Sequence, residues 1–461
     1  MSRGTFIDLC YLVAAVGFIV ALKALSSPRR ARAGNLLAAA GMALAIGATF
    51  ARAGLSHIPL IVGAMAIGVA IGVPAARLVK MTAMPQMVAA FNGVGGGAAA
   101  VVSISEFISG DTKTIATYKV LEVVFGVLIG SVSFSGSALA FAKLQELMPG
   151  RPLTYPLQQP VNAVLGGGVL GLVVAIAITS STPLLWVLLG LSLVLGAIFV
   201  LPIGGADVPV LISLLNSFTG LAVAASGFTL NSNVLIVAGT LVGASGMLLT
   251  RMMSAAMGRS LPNILFSAFG SVVTASGETG GPEGRSVRSS TPEDVAVLLA
   301  YSRKVAIIPG YGLAVAQAQH ALHELVDQLK ARGVDVFYAI HPVAGRMPGH
   351  MNVLLAEANV PYEELKEMDE ANPEMGSTDV ALVVGANDTV NPAAKTTPGS
   401  PIYGMPIINA DEAANIVFLK RSMRPGFAGI DNALLYDDKT VLLFGDAKDT
   451  LQKLVTAVSH A

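Results

Sequence analysis

Long apolar stretches separated by short polar breaks fill the first 260 residues of the chain. Each is close to the length of about 20 residues that an α-helix needs to cross a bilayer. The pattern predicts nine membrane spans, at 5–25, 34–52, 58–78, 84–107, 116–142, 159–179, 183–203, 208–229 and 233–256. We expect the first span to be retained rather than cleaved as a signal peptide, because Asp8 interrupts it and eight more spans follow.

The pattern changes in the last third of the chain. From Arg303 onward, short apolar runs alternate with helix-length segments, which is typical of a doubly wound parallel α/β sheet. The predicted strands are 304–308, 334–340, 380–384, 406–408, 415–419 and 440–444. A Gly-rich stretch precedes this part, and Thr291 followed by Pro292 predicts a helix start. We therefore divide the chain into a polytopic all-α membrane domain (1–260), a hinge (261–290) and a Rossmann-like α/β domain (291–461).

Composition and charge agree with this division. Hydrophobic residues make up 53% of the chain and charged residues 13%, which excludes a single soluble globule. The net charge of zero hides a basic first part, with fourteen Lys and Arg against six Asp and Glu in residues 1–260. The neutral total implies no nucleic-acid partner. Cys10 is the one cysteine, so we expect no disulfide within the chain and no metal site built on cysteine.

The basic residues near the ends of the spans predict the orientation in the membrane. Ten Lys and Arg fall on one side of the predicted spans and four on the other. Because short cytoplasmic loops carry the excess of Lys and Arg, we expect the N-terminus outside. The α/β domain is then cytoplasmic, and we expect the chain to be a multi-pass protein of the cell (inner) membrane.

Several polar side chains fall inside the predicted spans. Glu122 is an acidic residue that must face protein or water, so an ion pathway is the working hypothesis. For Asn92 and Asn216 the alternative is a hydrogen bond between helices. None of the six histidines lies in the middle of a span, so a proton pathway would use a carboxylate or a histidine of another polypeptide.

A glycine-rich turn follows the first predicted strand of the α/β domain. It reads Gly310-Tyr-Gly312-Leu-Ala-Val315 and leads into a helical stretch. Glycines at this spacing allow a tight turn and close approach of a pyrophosphate, which the helix N-terminus attracts. The third position is Val rather than Gly or Ala, so a purely structural turn is the alternative.

Two further loops favour NADP over NAD. An NAD site carries an acidic residue at the end of the second strand, but that strand ends Ala339-Ile340-His341. Lys420-Arg421-Ser422, after the strand at 415–419, offers two cations and a hydroxyl to a 2′-phosphate. The carboxyl ends of parallel strands share one edge, where ligands bind. We therefore expect NADP at the edge formed by the loops 341–348, 385–389, 420–422 and 445–447.

Sequence motifs in both parts of the chain resemble the β subunit of the proton-translocating NAD(P) transhydrogenase. The motifs in the α/β domain are Pro-Gly-Tyr-Gly from Pro309, His-Pro-Val-Ala-Gly-Arg-Met-Pro-Gly-His from His341, Gly-Ala-Asn-Asp-Thr-Val-Asn-Pro from Gly385, Lys-Arg-Ser-Met from Lys420 and Gly-Asp-Ala-Lys from Gly445. The membrane part contributes Gly-Gly-Ala-Asp from Gly204 and Leu-Asn-Ser-Phe from Leu215.

The resemblance implies an enzyme that exchanges hydride between NADP(H) on this chain and NAD(H) on a partner α subunit. Proton translocation would drive the exchange towards NADPH, with Re/Si specificity and a dimeric complex. No acid or base catalyst is implied, and Asp388 would couple the state of NADP to protonation. The implied cofactor-binding residues are Gly310, Tyr311, Gly312, Val315, Val343, Ala344, Gly345, Arg346, Met347, Pro348, Gly385, Ala386, Asn387, Asp388, Thr389, Gly404, Met405, Lys420, Arg421, Ser422, Met423, Arg424, Pro425, Gly426, Phe427, Asp446 and Ala447.

The proton pathway is expected to involve Asn92, Glu122, Asp207, Asn216 and Ser217. Asn92 stands where some family members have a histidine, so we expect a separate small membrane subunit to supply that group. Phe427 stands where many members have tyrosine, which removes a hydroxyl near the cofactor.

Two other functions compete with this interpretation. One is an ion channel or transporter gated by a cytoplasmic nucleotide-sensing domain. It would need a selectivity filter of the Thr-Val-Gly-Tyr-Gly kind, and the sequence contains none. The other is a membrane-anchored NADPH dehydrogenase, which would need a second cofactor fingerprint in the chain.

Overall fold

A computed structural model describes most of the chain in two compact units, Met1–Arg251 and Met252–Ala461. The described residues are 3–52, 55–80, 83–110, 117–145, 147–148, 153, 155, 157–203, 207–256, 261, 287–346, 349–398, 400, 402–426 and 428–461. Most of the predicted hinge, 261–290, lies outside these residues.

Among the described residues, nine helices are long and apolar enough to span a membrane, as predicted, and all but the last few residues of the ninth lie in the first unit. They are α1 (Arg3–Leu25), α2 (Pro28–Phe50), α3 (Ile58–Leu78), α4 (Met84–Ser109), α5 (Thr117–Leu144), α6 (Gln158–Thr179), α7 (Thr182–Val200), α8 (Val208–Thr229) and α9 (Asn233–Ala256). Helix α2 begins six residues before the predicted span, because Pro28 is compatible with the first turn and the arginines that follow can be helical outside an apolar run.

The helices pack closely where glycines lie. A Cβ on Gly130 of α5 would come within 2.6 Å of the Gly96 carbonyl oxygen in α4. A Cβ on Gly220 of α8 would come within 2.4 Å of the Gly243 nitrogen in α9. These small residues therefore form tight helix contacts, and α4–α5 and α8–α9 are two pairs in direct backbone contact.

The second unit contains a six-stranded sheet in the order β3-β2-β1-β4-β5-β6, in which every pairing is parallel. The strands are β1 (Lys304–Pro309), β2 (Asp335–Ile340), β3 (Leu365–Glu367), β4 (Val380–Val384), β5 (Asn415–Lys420) and β6 (Thr440–Phe444). The helices are α10 (Pro292–Ala300), α11 (Tyr311–Ala316), α12 (Gln319–Ala331), α13 (His350–Glu357), α14 (Met368–Met375), α15 (Ala393–Thr396) and α16 (Ala447–His460).

Apolar side chains cover both faces of the sheet. One face packs against α10, α12 and α16, through residues such as Leu299, Leu325 and Leu451. The other face packs against α14 and the loops 408–413 and 434–435, through residues such as Met375 and Ile408. The doubly wound, Rossmann-like sheet that the alternating pattern predicted is confirmed.

One strand prediction was wrong, and one strand was missed. The segment 406–408 is not a strand, because its backbone groups bond elsewhere: the Pro406 carbonyl accepts from His341, and the Ile408 N–H donates to the Thr389 carbonyl. The edge strand β3 was not predicted, since three residues with two charges show no apolar alternation.

The helix expected after the glycine turn also differs. It divides into α11 and α12 at Gln317, whose φ of 50° is outside the helical region. The expected helix start at Thr291 is confirmed, because the Asp294 N–H donates to Thr291 Oγ1.

Candidate functional site

The strand order places a crevice between the ends of β1 and β4. From β1 the chain continues to β2 and β3 on one side, whereas β4 leads to β5 and β6 on the other. Such a point, where the strand order reverses, is where dinucleotides bind in open parallel sheets. The predicted loops follow β1, β2, β4, β5 and β6 and therefore lie along the carboxyl edge.

Glycines form the floor of this crevice. The Gly310 N–H donates to the Val384 carbonyl and the Gly312 N–H to the Gly385 carbonyl, each at 2.9 Å. A Cβ on Gly310 would lie 2.4 Å from the Ala386 Cα, and Gly385 has a φ of 69°. These residues lack a side chain because the loops after β1 and β4 touch through their backbones. The sequence suggested that these glycines allow a pyrophosphate to come close. The structure shows that Gly310 and Gly312 also allow this contact between the two loops.

The loop after β2 reaches back over the glycine turn. The Arg346 guanidinium carbon lies 4.6 Å from the centre of the Tyr311 ring, a cation–π contact. The Arg346 N–H donates to His350 Nδ1 at 3.1 Å, and a Cβ on Gly345 would lie 2.4 Å from that nitrogen. Burial, followed by the nearby Arg346 charge, lowers the pKa of His350. His350 therefore holds this loop as a neutral acceptor.

His341 fixes the start of the same loop. It is 1% exposed; its Nδ1 accepts from the Val343 N–H at 3.2 Å and its Nε2 donates to the Pro406 carbonyl at 2.8 Å. Burial lowers the pKa of His341, although the bond to Pro406 acts in the opposite direction. Where an NAD site would have a carboxylate, this chain has a neutral imidazole that joins the β2 loop to the segment containing Gly404 and Met405.

The loops after β4 and β5 are joined by a polar network. Lys420 Nζ donates to Asn387 Oδ1 at 3.0 Å and to the Arg424 carbonyl at 3.4 Å. Asn387 Nδ2 donates to Asp388 Oδ1 at 3.0 Å, and the Ala428 N–H donates to Asp388 Oδ2 at 2.8 Å. Burial lowers the pKa of Lys420, while the charges of Asp431 and Asp388 act in the opposite direction. One continuous set of bonds therefore links Lys420, one of the two candidate phosphate-binding cations, to Asp388.

Other predicted residues lie around this network. Ser422 Oγ accepts from the Arg424 N–H at 3.5 Å, and Arg421 is exposed. Asp446 begins α16 and accepts from the Lys448 N–H at 2.9 Å, so its carboxylate caps that helix. Val315, on α11, is 43% exposed. The predicted residues Met347, Pro348 and Phe427 lie outside the described residues.

Within the described ranges, no group of three or more His, Cys, Asp or Glu side chains is placed to hold a metal ion.

A buried hydroxyl network occupies the interior of the membrane unit. Asn92 Nδ2 in α4 donates to Ser137 Oγ at 2.9 Å and Ser133 Oγ at 3.4 Å, both in α5. Ser133 Oγ is 2.8 Å from the Leu215 carbonyl and 2.6 Å from Thr219 Oγ1, both in α8. Asn92 therefore makes the hydrogen bonds between helices that were its alternative role, and it does so in the polar core of the bundle.

The other predicted proton-pathway residues are more scattered. Ser217 donates to the Gly243 carbonyl at 2.7 Å, and Asn216 is half-buried on α8. Asp207 is 9% exposed and directly precedes α8. Glu122 is the sixth residue of α5, about 8 Å along it, and thus lies near one end of the helix.

Comparison with known proteins identifies the family. Residues 7–457 match the family described as NAD(P) transhydrogenase beta subunit. Two curated sequences named NAD(P) transhydrogenase subunit beta, both from Rhodospirillum rubrum and one of them assigned to a particular strain, are each 48% identical over 455 residues. The alignment covers 97% of this chain and 98% of each relative.

The chain belongs to the NAD(P) transhydrogenase beta subunit family.

Because the chain belongs to this transhydrogenase family, its reactants are nicotinamide nucleotides. Its long apolar helices are those of a membrane protein.

The sequence alone assigned no role to four residues that shape the site. His341, His350 and Asn391 lie within quoted motifs, so each had a local signal. Asn391 is buried and donates to the Asp431 carbonyl at 3.0 Å. Asn432 had no such signal: it is buried and donates to the Asn387 carbonyl at 3.1 Å across 45 residues of sequence.

Proposed function

We propose that this chain is the NADP(H)-binding, membrane-spanning subunit of a proton-translocating, Re/Si-specific transhydrogenase. The observation that carries the proposal is the link between Lys420 and the Asn387–Asp388 pair, across the carboxyl edge of the sheet. It joins Lys420, a cation suited to a 2′-phosphate, to the crevice that suits a dinucleotide. The loop of neutral His341 at the end of β2 supports NADP over NAD, because it offers no carboxylate to a 2′-hydroxyl.

In this function the chain binds and orients the cofactor. NADP(H), when bound, supplies or accepts the hydride, and NAD(H) on an α subunit is the other reactant. Because hydride passes directly between nicotinamides, the chain needs no acid or base catalyst. Asp388 has its two carboxylate oxygens bonded to the Asn387 amide and the Ala428 N–H, so movement of either loop alters what the carboxylate contacts. We assign to Asp388 the coupling between the state of NADP and protonation.

Proton translocation would use the interior of the nine-helix unit. Asn92, Ser133 and Thr219 bring hydroxyl and amide groups from three helices within hydrogen-bonding distance. The sequence has no histidine in the middle of a span, so we assign the titrating group to a small membrane subunit of the complex. We place the N-terminus outside, the NADP(H) domain in the cytoplasm of the cell, and the complex in the inner membrane as a dimer.

The free energy available from the membrane potential favours coupling to proton flow over a role for the helices as a simple membrane anchor. One charge that crosses 100 mV releases about 2.3 kcal/mol, which would shift a near-balanced hydride exchange roughly fiftyfold. Proton flow inward through this unit would therefore drive the exchange towards NADPH.

The proposal is tested with the complex in sealed proteoliposomes. Hydride transfer from NADPH to an NAD analogue is followed with and without a protonophore, while a dye inside the vesicles reports pH. We expect a pH change during turnover and a faster steady rate once the protonophore removes the opposing gradient. The same rate in both conditions, with a constant internal pH, would remove proton translocation from the proposal.

A further inference from the structure

A buried lysine lies at the end of α5, outside the hydroxyl network. Lys143 is 4% exposed, and its ammonium donates to three backbone carbonyls. These are the carbonyls of Val200 at 3.1 Å, Leu201 at 2.6 Å and Ile203 at 2.8 Å. An ammonium has three N–H donors, so every donor of Lys143 has an acceptor. The geometry is that of a built site and not of a side chain trapped by packing.

The three acceptors lie at one place in the fold. Helix α7 ends at Val200, and the other two residues begin the turn that leads to α8. Carbonyls at a helix C-terminus lack partners within the helix and carry partial negative charge, so a cation is favourable there. Lys143 thereby ties the end of α5 to the beginning of the α7–α8 turn.

The chain continues from Ile203 to parts of the proposed proton pathway. Asp207 follows four residues later and directly precedes α8, which carries Thr219, 2.6 Å from Ser133 of α5. Lys143 lies on the same helix as Ser133, about 15 Å along it. A hydrogen bond tolerates only a few tenths of an ångström, so a shift of α8 along α5 by 1 Å would break the contact.

A packing role alone does not account for the residue. Burying an ammonium costs free energy, and an apolar residue of similar volume is often neutral or stabilising in such a place. Lys143 supplies something that an apolar side chain cannot, namely three directed bonds to the turn.

We propose that Lys143 is a positioning residue for proton translocation. It holds residues 200–203, which the chain joins to Asp207 and the start of α8, and so keeps α8 in register with the hydroxyls of α5. The inference rests on the proposed function, since it gives one residue a part in the coupling.

The test uses the reconstituted complex with Lys143→Met, Lys143→Arg and the control Lys23→Met. Lys23 is an exposed lysine in the last turn of α1, so its loss removes a charge without these bonds. Protons moved per hydride transferred, the pH profile of the coupled rate and NADP affinity are measured for each. We expect Lys143→Met to lower the proton-to-hydride ratio at least fivefold and to change the pH profile, with NADP affinity within twofold of the wild type. Lys143→Arg, which keeps charge and donors, should retain more than half of the ratio, and Lys23→Met all of it.

Several results would overturn the inference. An unchanged ratio and pH profile in Lys143→Met would show that the three bonds do not position the pathway. Equal losses of the ratio and of NADP affinity, with no rescue by Arg, would show a general structural role. If the Met variant does not fold, Lys143→Gln replaces it, and a ratio equal to that of the wild type would again refute the idea. A wild-type complex that moves no protons would instead refute the proposed function itself.

Discussion

The two cations after β5 are expected to affect nucleotide binding differently. The Lys420 ammonium is committed to Asn387 Oδ1 and the Arg424 carbonyl, whereas the Arg421 side chain is exposed beside it. Arg421→Gln should therefore remove a contact with the 2′-phosphate and leave the loops in place. Lys420→Met should remove a charge and also release Asn387, which is bonded to Asp388.

The size of the Arg421 effect follows from its exposure. A hydrogen bond to a charged group contributes about 1.5–3 kcal/mol, and exposure to solvent puts Arg421 at the lower end. A loss of about 1.5 kcal/mol weakens NADP binding roughly tenfold. NAD lacks the 2′-phosphate, so its affinity should not change. For Lys420→Met we expect both affinities to fall, because the loop that carries Asp388 is loosened.

Isothermal titration calorimetry of the full chain in detergent, with NADP and with NAD, measures these affinities. Lys448→Gln is the matched control, since Lys448 is an exposed cation at the same edge, after β6. Raising the salt to about 1 M should shrink the Arg421 effect, because screening then acts within about 3 Å. If Arg421→Gln weakens NADP and NAD equally, or neither, the reasoning about the 2′-phosphate is refuted.

Two further predictions concern the stability of the α/β unit, followed by hydrogen exchange of β4 in the full chain. Gly385→Ala places a Cβ 2.4 Å from the Leu313 nitrogen at a φ of 69°. We expect the free energy of unfolding to fall by about 3 kcal/mol and NADP binding to weaken. Unchanged hydrogen exchange would contradict this close contact. Burial lowers the pKa of His341 in the folded state. Below about pH 6.5 the unfolded state therefore binds more protons than the folded state, and stability is lost as the pH falls from about 6.5 towards the folded-state pKa. His341→Gln should lose less stability than the wild type between pH 7 and pH 5, with His350 leaving part of the dependence, and an equal slope would exclude His341 as a cause.

The sequence was most informative where a pattern is local. Runs of apolar residues set the nine spans, because a bilayer demands a continuous length. The alternation of strands and helices predicted a parallel sheet, and this in turn predicted that the loops after β2, β4, β5 and β6 share an edge. The glycine turn at Gly310 was recognised from spacing alone.

Contacts between distant segments were beyond such reasoning. The bond from His341 to Pro406 crosses 65 residues, and it is one reason why 406–408 leaves the sheet. Lys420 was expected to face a phosphate. Its hydrogen bond to Asn387 could not be foreseen, because it depends on the placement of β4 beside β5. Such pairings are set by the folded arrangement, and no spacing in the chain encodes them.

Helix α8 meets its two neighbours in different ways. Gly220 and Gly243 bring the backbones of α8 and α9 into contact, whereas towards α5 the contact includes the hydrogen bond between Ser133 and Thr219. A steric contact resists sliding at any small displacement, whereas a hydroxyl can exchange one acceptor for another at a cost near 1 kcal/mol. The α8–α9 pair and the α4–α5 pair should therefore each move as one body. Movement of one pair against the other would exchange the partners of the hydroxyls between them, and it would have to break the bonds that hold Lys143.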